Sequence, residues 1–139
     1  MLKRYWLIPA IWIVFFIFWA LPTFAETIVG TAWVRTYNGP GNSNDNATAI
    51  AIDGSGNVYV TGPSWDNTTL EDYVTIKYYP NGDTAWVRRY NENAGDYPFD
   101  IAVDGYGNVY VTGGSSGDYA TIKYYPDGDT AWVRRYNGQ

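Results

Sequence analysis

A chain of 139 residues without cysteine or histidine has no disulfide framework, no Cys/His zinc site, no Ser-His-Asp or Cys-His catalytic set and no histidine proton shuttle. Nine basic residues against 14 acidic ones give a formal net charge of -5, which lacks the electrostatic footprint that phosphate binding needs and argues against nucleic acid as a partner. The length allows one modest domain.

The first predicted element is an N-terminal apolar signal helix at 1–25. Lys3 and Arg4 open it, and the next charge is Glu26; between them runs "YWLIPAIWIVFFIFWALPTFA". A basic start, an apolar stretch and small residues near its end read as a secretory signal, with Pro22 breaking the helix and cleavage expected after Ala25. The rival is an uncleaved membrane anchor, because the uncharged run 5–25 is about long enough to span a bilayer. The expected location is secreted or extracytoplasmic, at the cell surface or in the periplasm, with the membrane as a partner only through an uncleaved segment.

Three copies of one phrase organise the remainder: "TAWVRTYNG" at Thr31, "TAWVRRYN" at Thr84 and "TAWVRRYNG" at Thr130. A second phrase recurs between them, "DGSGNVYVTG" at Asp53 and "DGYGNVYVTG" at Asp104. Recurrence of this kind marks stacked structural units. Val, Ile, Thr, Tyr and Trp dominate, and Gly, Asn, Asp and Pro punctuate them, which predicts short antiparallel strands. In chain order these are a leading outer strand at 31–38, four strands at 47–53, 57–62, 73–79 and 84–90, and four more at 99–104, 108–113, 119–125 and 130–136. Asp-Gly and Pro-Asn-Gly supply the positive-φ conformations that tight hairpin turns demand.

Alternation along the first full strand places Ile50 and Ile52 on one side and Ala49 and Ala51 on the other, so both sides are apolar. A sheet wedged between two neighbours meets that requirement, as in radially packed propeller blades. In the outer strand Trp86, Arg88 and Tyr90 share a side; the rings can pack on the next blade while the Arg stem lies over them. Trp33, Trp86 and Trp132 are therefore read as packing residues.

The segment "DIAVDGYGNVYVTGGSSGDYATIKYYPDGDTAWVRRYNG" resembles the SBBP-type, seven-bladed beta-propeller repeat of exported bacterial and archaeal proteins, and the likeness extends over nearly all of 31–139. It implies an extracytoplasmic propeller serving as scaffold or interaction module, with no shared catalytic set. The expected fold is all-β: an incomplete, open propeller of two four-stranded antiparallel blades, 47–90 and 99–136, plus the extra outer strand. Propellers close with about four to eight blades, so two terminal sheets should stand uncovered. The chain is expected to be a fragment of a larger propeller or a piece that oligomerises, its partner being another protein or a second copy at the open blade faces.

Asp53, Ser55 and Asn57, with Asp104 and Asn108, offer oxygens at alternating positions, yet the glycine and the terminal acid of a calcium loop are missing, so Asp-capped hairpin turns are favoured. The loops at 63–72 and 91–98 carry Trp65, Asp66 and Tyr97, candidate contacts for carbohydrate, weighed against ordinary loop packing. Asp66, Glu71, Asp72, Asp96, Asp100 and Asp118 form no recognisable acid-base pair. No catalytic residue, metal or cofactor is expected. The functional expectation is a non-catalytic structural or interaction module, the alternative being an extracellular carbohydrate-binding module that uses loop aromatics.

Overall fold

The computed structural model of the chain describes residues 30–92 and 95–138. The signal or anchor expected at 1–25 lies outside them. Residues Thr31–Gln139 form one compact unit. It contains two four-stranded antiparallel sheets and, among the described residues, no helix. The first sheet is β1 (Ala49–Ile52), β2 (Val58–Asp66), β3 (Leu70–Tyr78) and β4 (Thr84–Tyr90), in that spatial order; the second is β5 (Asp96–Val103), β6 (Val109–Ser115), β7 (Asp118–Tyr124) and β8 (Thr130–Tyr136). Neither sheet closes on itself.

The repeated phrases build the hairpins. In the β1–β2 turn Asp53 Oδ1 accepts the amides of Ser55 and Asn57, while Oδ2 accepts from the Asn57 side chain and the Tyr59 hydroxyl. Asp104 repeats the pattern with Tyr106, Asn108 and Tyr110. These carboxylates are the turn's internal caps. The β6–β7 turn places Ser116 at φ 52 and Gly117 at φ 85, both left-handed, as a two-residue type I′ hairpin requires.

Two expectations are corrected. The connection at 63–72 is mostly strand: β2 and β3 stay in register through Pro63↔Tyr73, Ser64↔Asp72, Trp65↔Glu71 and Asp66↔Leu70. Pro63 lies beyond the last regular β1–β2 pair, Ala49↔Thr61, and its carbonyl accepts the Asn46 amide at 3.1 Å, so the missing amide falls on an irregular edge segment rather than inside a regular ladder. Likewise Asp96, Tyr97 and Pro98 open β5, so Tyr97 is a strand residue. The second correction concerns 31–38, which forms no strand. The same phrase in β4 and β8 hydrogen-bonds to β3 and β7; among the described residues, 31–38 has no third strand beside it.

The main core lies between the sheets. Tyr59, Tyr73 and Trp86 of the first sheet pack with Ile101, Val109, Val111, Ile122 and Tyr124 of the second. A smaller cluster, Val74, Ile76 and Tyr78, lies on the opposite face of the first sheet, with Tyr37 from the leading segment packed against it. Each sheet thus buries one face on the other, and equivalent residues part company: Ile101 is 6% exposed and Ile50 65%, Tyr73 0% and Tyr119 70%.

Candidate functional site

The joint between the sheets is made by the outer phrase of one gripping the last turn of the other. Trp86 Nε1 donates to the Pro126 carbonyl at 3.1 Å, and Lys77 Nζ donates to the same oxygen at 3.2 Å. Arg88 Nε donates to the Gly128 carbonyl at 2.6 Å, and its guanidinium stands 3.6 Å from Asp129. The indole lies against Tyr124, ring centres 5.9 Å apart, and Arg88 covers its other surroundings at 5.8 Å. Gly128 admits this approach because a Cβ there would meet the Trp86 ring at 2.9 Å.

A second copy of the joint occurs inside the chain. Trp33 Nε1 donates to the Pro80 carbonyl at 3.1 Å, its ring is 5.8 Å from Tyr78, and Arg35 stands 3.6 Å from Asp83. Gly82 provides the clearance, as Gly128 does. The leading segment therefore takes the side-chain position of an outer strand without its ladder. It leaves a groove of about 320 Å³ lined by Trp33, Tyr37, Ile50, Val60, Ile76 and Tyr78. The third copy, Trp132 with Arg134 in β8, contacts its own sheet among the described residues: Arg134 lies over Trp132 at 5.7 Å, and Tyr110 is 6.3 Å away.

Behind each outer strand an arginine ties the sheet together. Arg89 meets Asp72 at 2.8 Å, the Ser64 hydroxyl at 2.8 Å and the Tyr37 hydroxyl at 3.2 Å. Burial alone would lower its pKa, but the bonds to Asp72 and Tyr37 outweigh this and raise it. Arg135 meets Asp118 at 3.1 Å and Glu92 at 3.0 Å. Asp96 accepts the Glu92 amide at 2.8 Å; burial pushes its carboxyl above the usual range, against the Ser115 hydroxyl and that amide.

A polar groove of about 360 Å³ opens on another side of the first sheet, lined by Ser43, Asn44, Asn46, Trp65, Glu71 and Tyr97 together with Pro63. Trp65 and Tyr97, singled out from sequence, come together here. Trp65 is held by the chain at Gly41, where a Cβ would meet the indole at 2.8 Å, and its amide donates to the Asn44 carbonyl at 3.1 Å. A hydrogen bond to Glu71, with burial second, raises the Tyr97 phenol pKa. Asp66 is not part of the groove lining: its carboxylate accepts the Thr68 amide at 2.8 Å and hydroxyl at 2.6 Å. Glu71, Asn44 and Asn46 were not marked as ligand contacts in the sequence, since only folding brings them beside Trp65.

A family model for the beta-propeller repeat SBBP matches residues 32–67 and 85–120, together just over half of the chain. Each match begins in an outer phrase and ends within the sheet that follows, before the turn that the phrase grips. No curated protein matches the chain.

Proposed function

Because the chain belongs to the SBBP beta-propeller repeat family, we propose that it is a non-catalytic structural or protein-interaction module of an exported propeller, a piece of a larger or oligomeric ring that acts through its open sheet faces. One observation carries this reading: residues buried or half-buried at the internal joint, Ile101 and Val103, Tyr73 and Tyr90, have equivalents left bare on the two outer faces, Ile50 and Ile52 on one and Tyr119 and Tyr136 on the other. Exposed apolar surface of this extent marks an interaction site. Four of the six candidate acids are otherwise placed. Asp72 and Asp118 are paired with arginines, Asp66 caps a turn, and Asp96 is buried.

Association of the chain with propeller-repeat segments tests this, measured by sedimentation for the wild type and for Ile52→Asp and Tyr119→Asp. Both positions are exposed, so circular dichroism should be unchanged while association is lost. Association that survives both changes refutes the reading. Export rests on the segment 1–25 and is tested by N-terminal sequencing of the exported chain: a start at Glu26 supports it, and intact Met1 in the membrane fraction identifies an anchor instead.

A second reading, carbohydrate binding, is favoured by Trp65 and Tyr97 flanking one groove with Asn44, Asn46 and Glu71. Aromatic faces suit the apolar faces of sugars, and amides and a carboxylate suit their hydroxyls. Glycan-array binding lost in Trp65→Ala and Tyr97→Ala supports it; binding indifferent to both removes it.

A further inference from the structure

Resting on the interaction reading, we infer that the partner is a second copy of this chain, docked head to tail, and that the leading segment 31–38 is a placeholder that the incoming copy displaces. The occupant is specified by the repeat itself. The face that the first sheet buries on the second presents Ala51, Tyr59, Tyr73, Trp86 and Arg88; the outer face of the second sheet presents Ala102, Tyr110, Tyr119, Trp132 and Arg134 at the equivalent places. The receiving face of the second sheet offers Ile101, Val103, Ile122 and Tyr124; the outer face of the first offers Ile50, Ile52, Ile76 and Tyr78. Each bare face is thus the complement of the other, and the internal joint is the template for their meeting.

The receiving seat is already formed. Pro80, Gly82 and Asp83 hold Trp33 and Arg35 just as Pro126, Gly128 and Asp129 hold Trp86 and Arg88. In the docked pair Trp132 donates to the Pro80 carbonyl of the next copy and Arg134 faces its Asp83. The placeholder covers this seat incompletely, because Ile50 and Ile52 remain 65% and 66% exposed beside it. A whole sheet face covers them and fills the groove with Tyr110 and Tyr119.

The alternative exchange, in which 31–38 replaces β8 in the ladder of another copy, is opposed by one residue. The phrases 31–38 and 130–137 differ only at Thr36 and Arg135. Arg135 bonds Asp118, Glu92 and the Ser115 carbonyl, and a threonine reaches none of these. Displacement therefore occurs at the seat and β8 stays in its own sheet. The contact is heterologous, so repetition gives a ring or an open chain with two sheets added per copy.

The absence of cysteine makes a clean test. Asp83→Cys and Arg134→Cys are placed on separate full-length chains, mixed in mild detergent and treated with a short bismaleimide. Arg88→Cys with Asp129→Cys in one chain reports the internal joint. A covalent heterodimer is expected, with a several-fold higher yield when the Asp83→Cys chain also carries Trp33→Ala, which empties the seat. A heterodimer yield no greater than that of an exposed control pair, Thr68→Cys with Tyr106→Cys, overturns the inference while the intrachain bridge forms. Failure of the intrachain bridge overturns the packing of the two sheets, and with it both this inference and the reading on which it rests.

Discussion

The Trp86 indole in β4 is hydrogen-bonded to the Pro126 carbonyl in the β7–β8 turn, 3.1 Å away. A residue of one outer strand is thereby fixed to the neighbouring sheet's last hairpin. Trp33 and Pro80 repeat the bond at the same length. The repeated structural contact of this chain is consequently the joint, and its strength depends on whether a copy of the phrase has a turn to grip.

The three tryptophans should differ in energetic weight although their local sequences nearly coincide. Trp86 is buried in the inter-sheet core, so Trp86→Ala should cost about 3–5 kcal/mol. Trp132→Ala, at a half-buried position on the bare face, should cost less than half as much in the monomer. Urea unfolding of the two variants at low protein concentration checks the ratio.

Glycine at the turn is required twice over at Gly128. Its φ is 89°, and a Cβ would meet the Trp86 ring at 2.9 Å. Gly128→Ala should destabilise by about 1–3 kcal/mol, whereas Gly105→Ala, with open space around it, should be nearly neutral. Thermal melts of both variants decide this.

The two arginine ties should also diverge. Asp72 is almost fully buried beside Arg89, so Arg89→Met strands a carboxylate and should cost about 3 kcal/mol. Arg135→Met leaves Asp118 better hydrated and should cost clearly less, as exposed ion pairs do. Denaturant midpoints at neutral pH measure the contrast.

Two aspartates pull the pH profile in opposite directions. The Asn108 side chain, with the Asn108 and Tyr106 amides and the Tyr110 hydroxyl, holds the Asp104 carboxyl at about 2 against its ordinary 3.8. Its stabilisation is complete above the ordinary value and is lost as the pH falls toward about 2. Asp96 is raised above 3.8 by burial, so its contribution is fully present below that value and declines as the pH rises through the raised one. Asp104→Asn should lower the melting temperature at about pH 7 and converge on the wild type in acid; Asp96→Asn should raise it at about pH 7 and match the wild type at about pH 3. A melting series across pH separates the two.

Much of the fold was legible because local signals agreed with the global pattern. The alternation of Val58, Tyr59, Val60 and Thr61 and the Asp-Gly turns located the hairpins, and the shared side of Trp86, Arg88 and Tyr90 pointed to the joint. The ends of strands were less legible. Pro63 is loop punctuation in a sequence, yet it lies in β2 because only its neighbours' ladders decide whether a lost amide matters. The phrase at 31–38 has strand composition and forms none, since a ladder needs a partner that composition does not report. The groove at Trp65 was half legible: its aromatics were visible, but Tyr97 and Glu71 reach it from β5 and β3, a tertiary relationship.

The most direct test is hydroxyl-radical footprinting of tyrosines across a protein dilution series. Tyr73 and Tyr119 occupy equivalent positions, one sealed in the joint and one 70% exposed. Labelling of Tyr119 should far exceed that of Tyr73 in dilute solution and fall as concentration brings copies together, while Tyr73 stays protected throughout. Equal protection of the two tyrosines at every concentration would contradict the account, because the outer face would then be covered within a single copy.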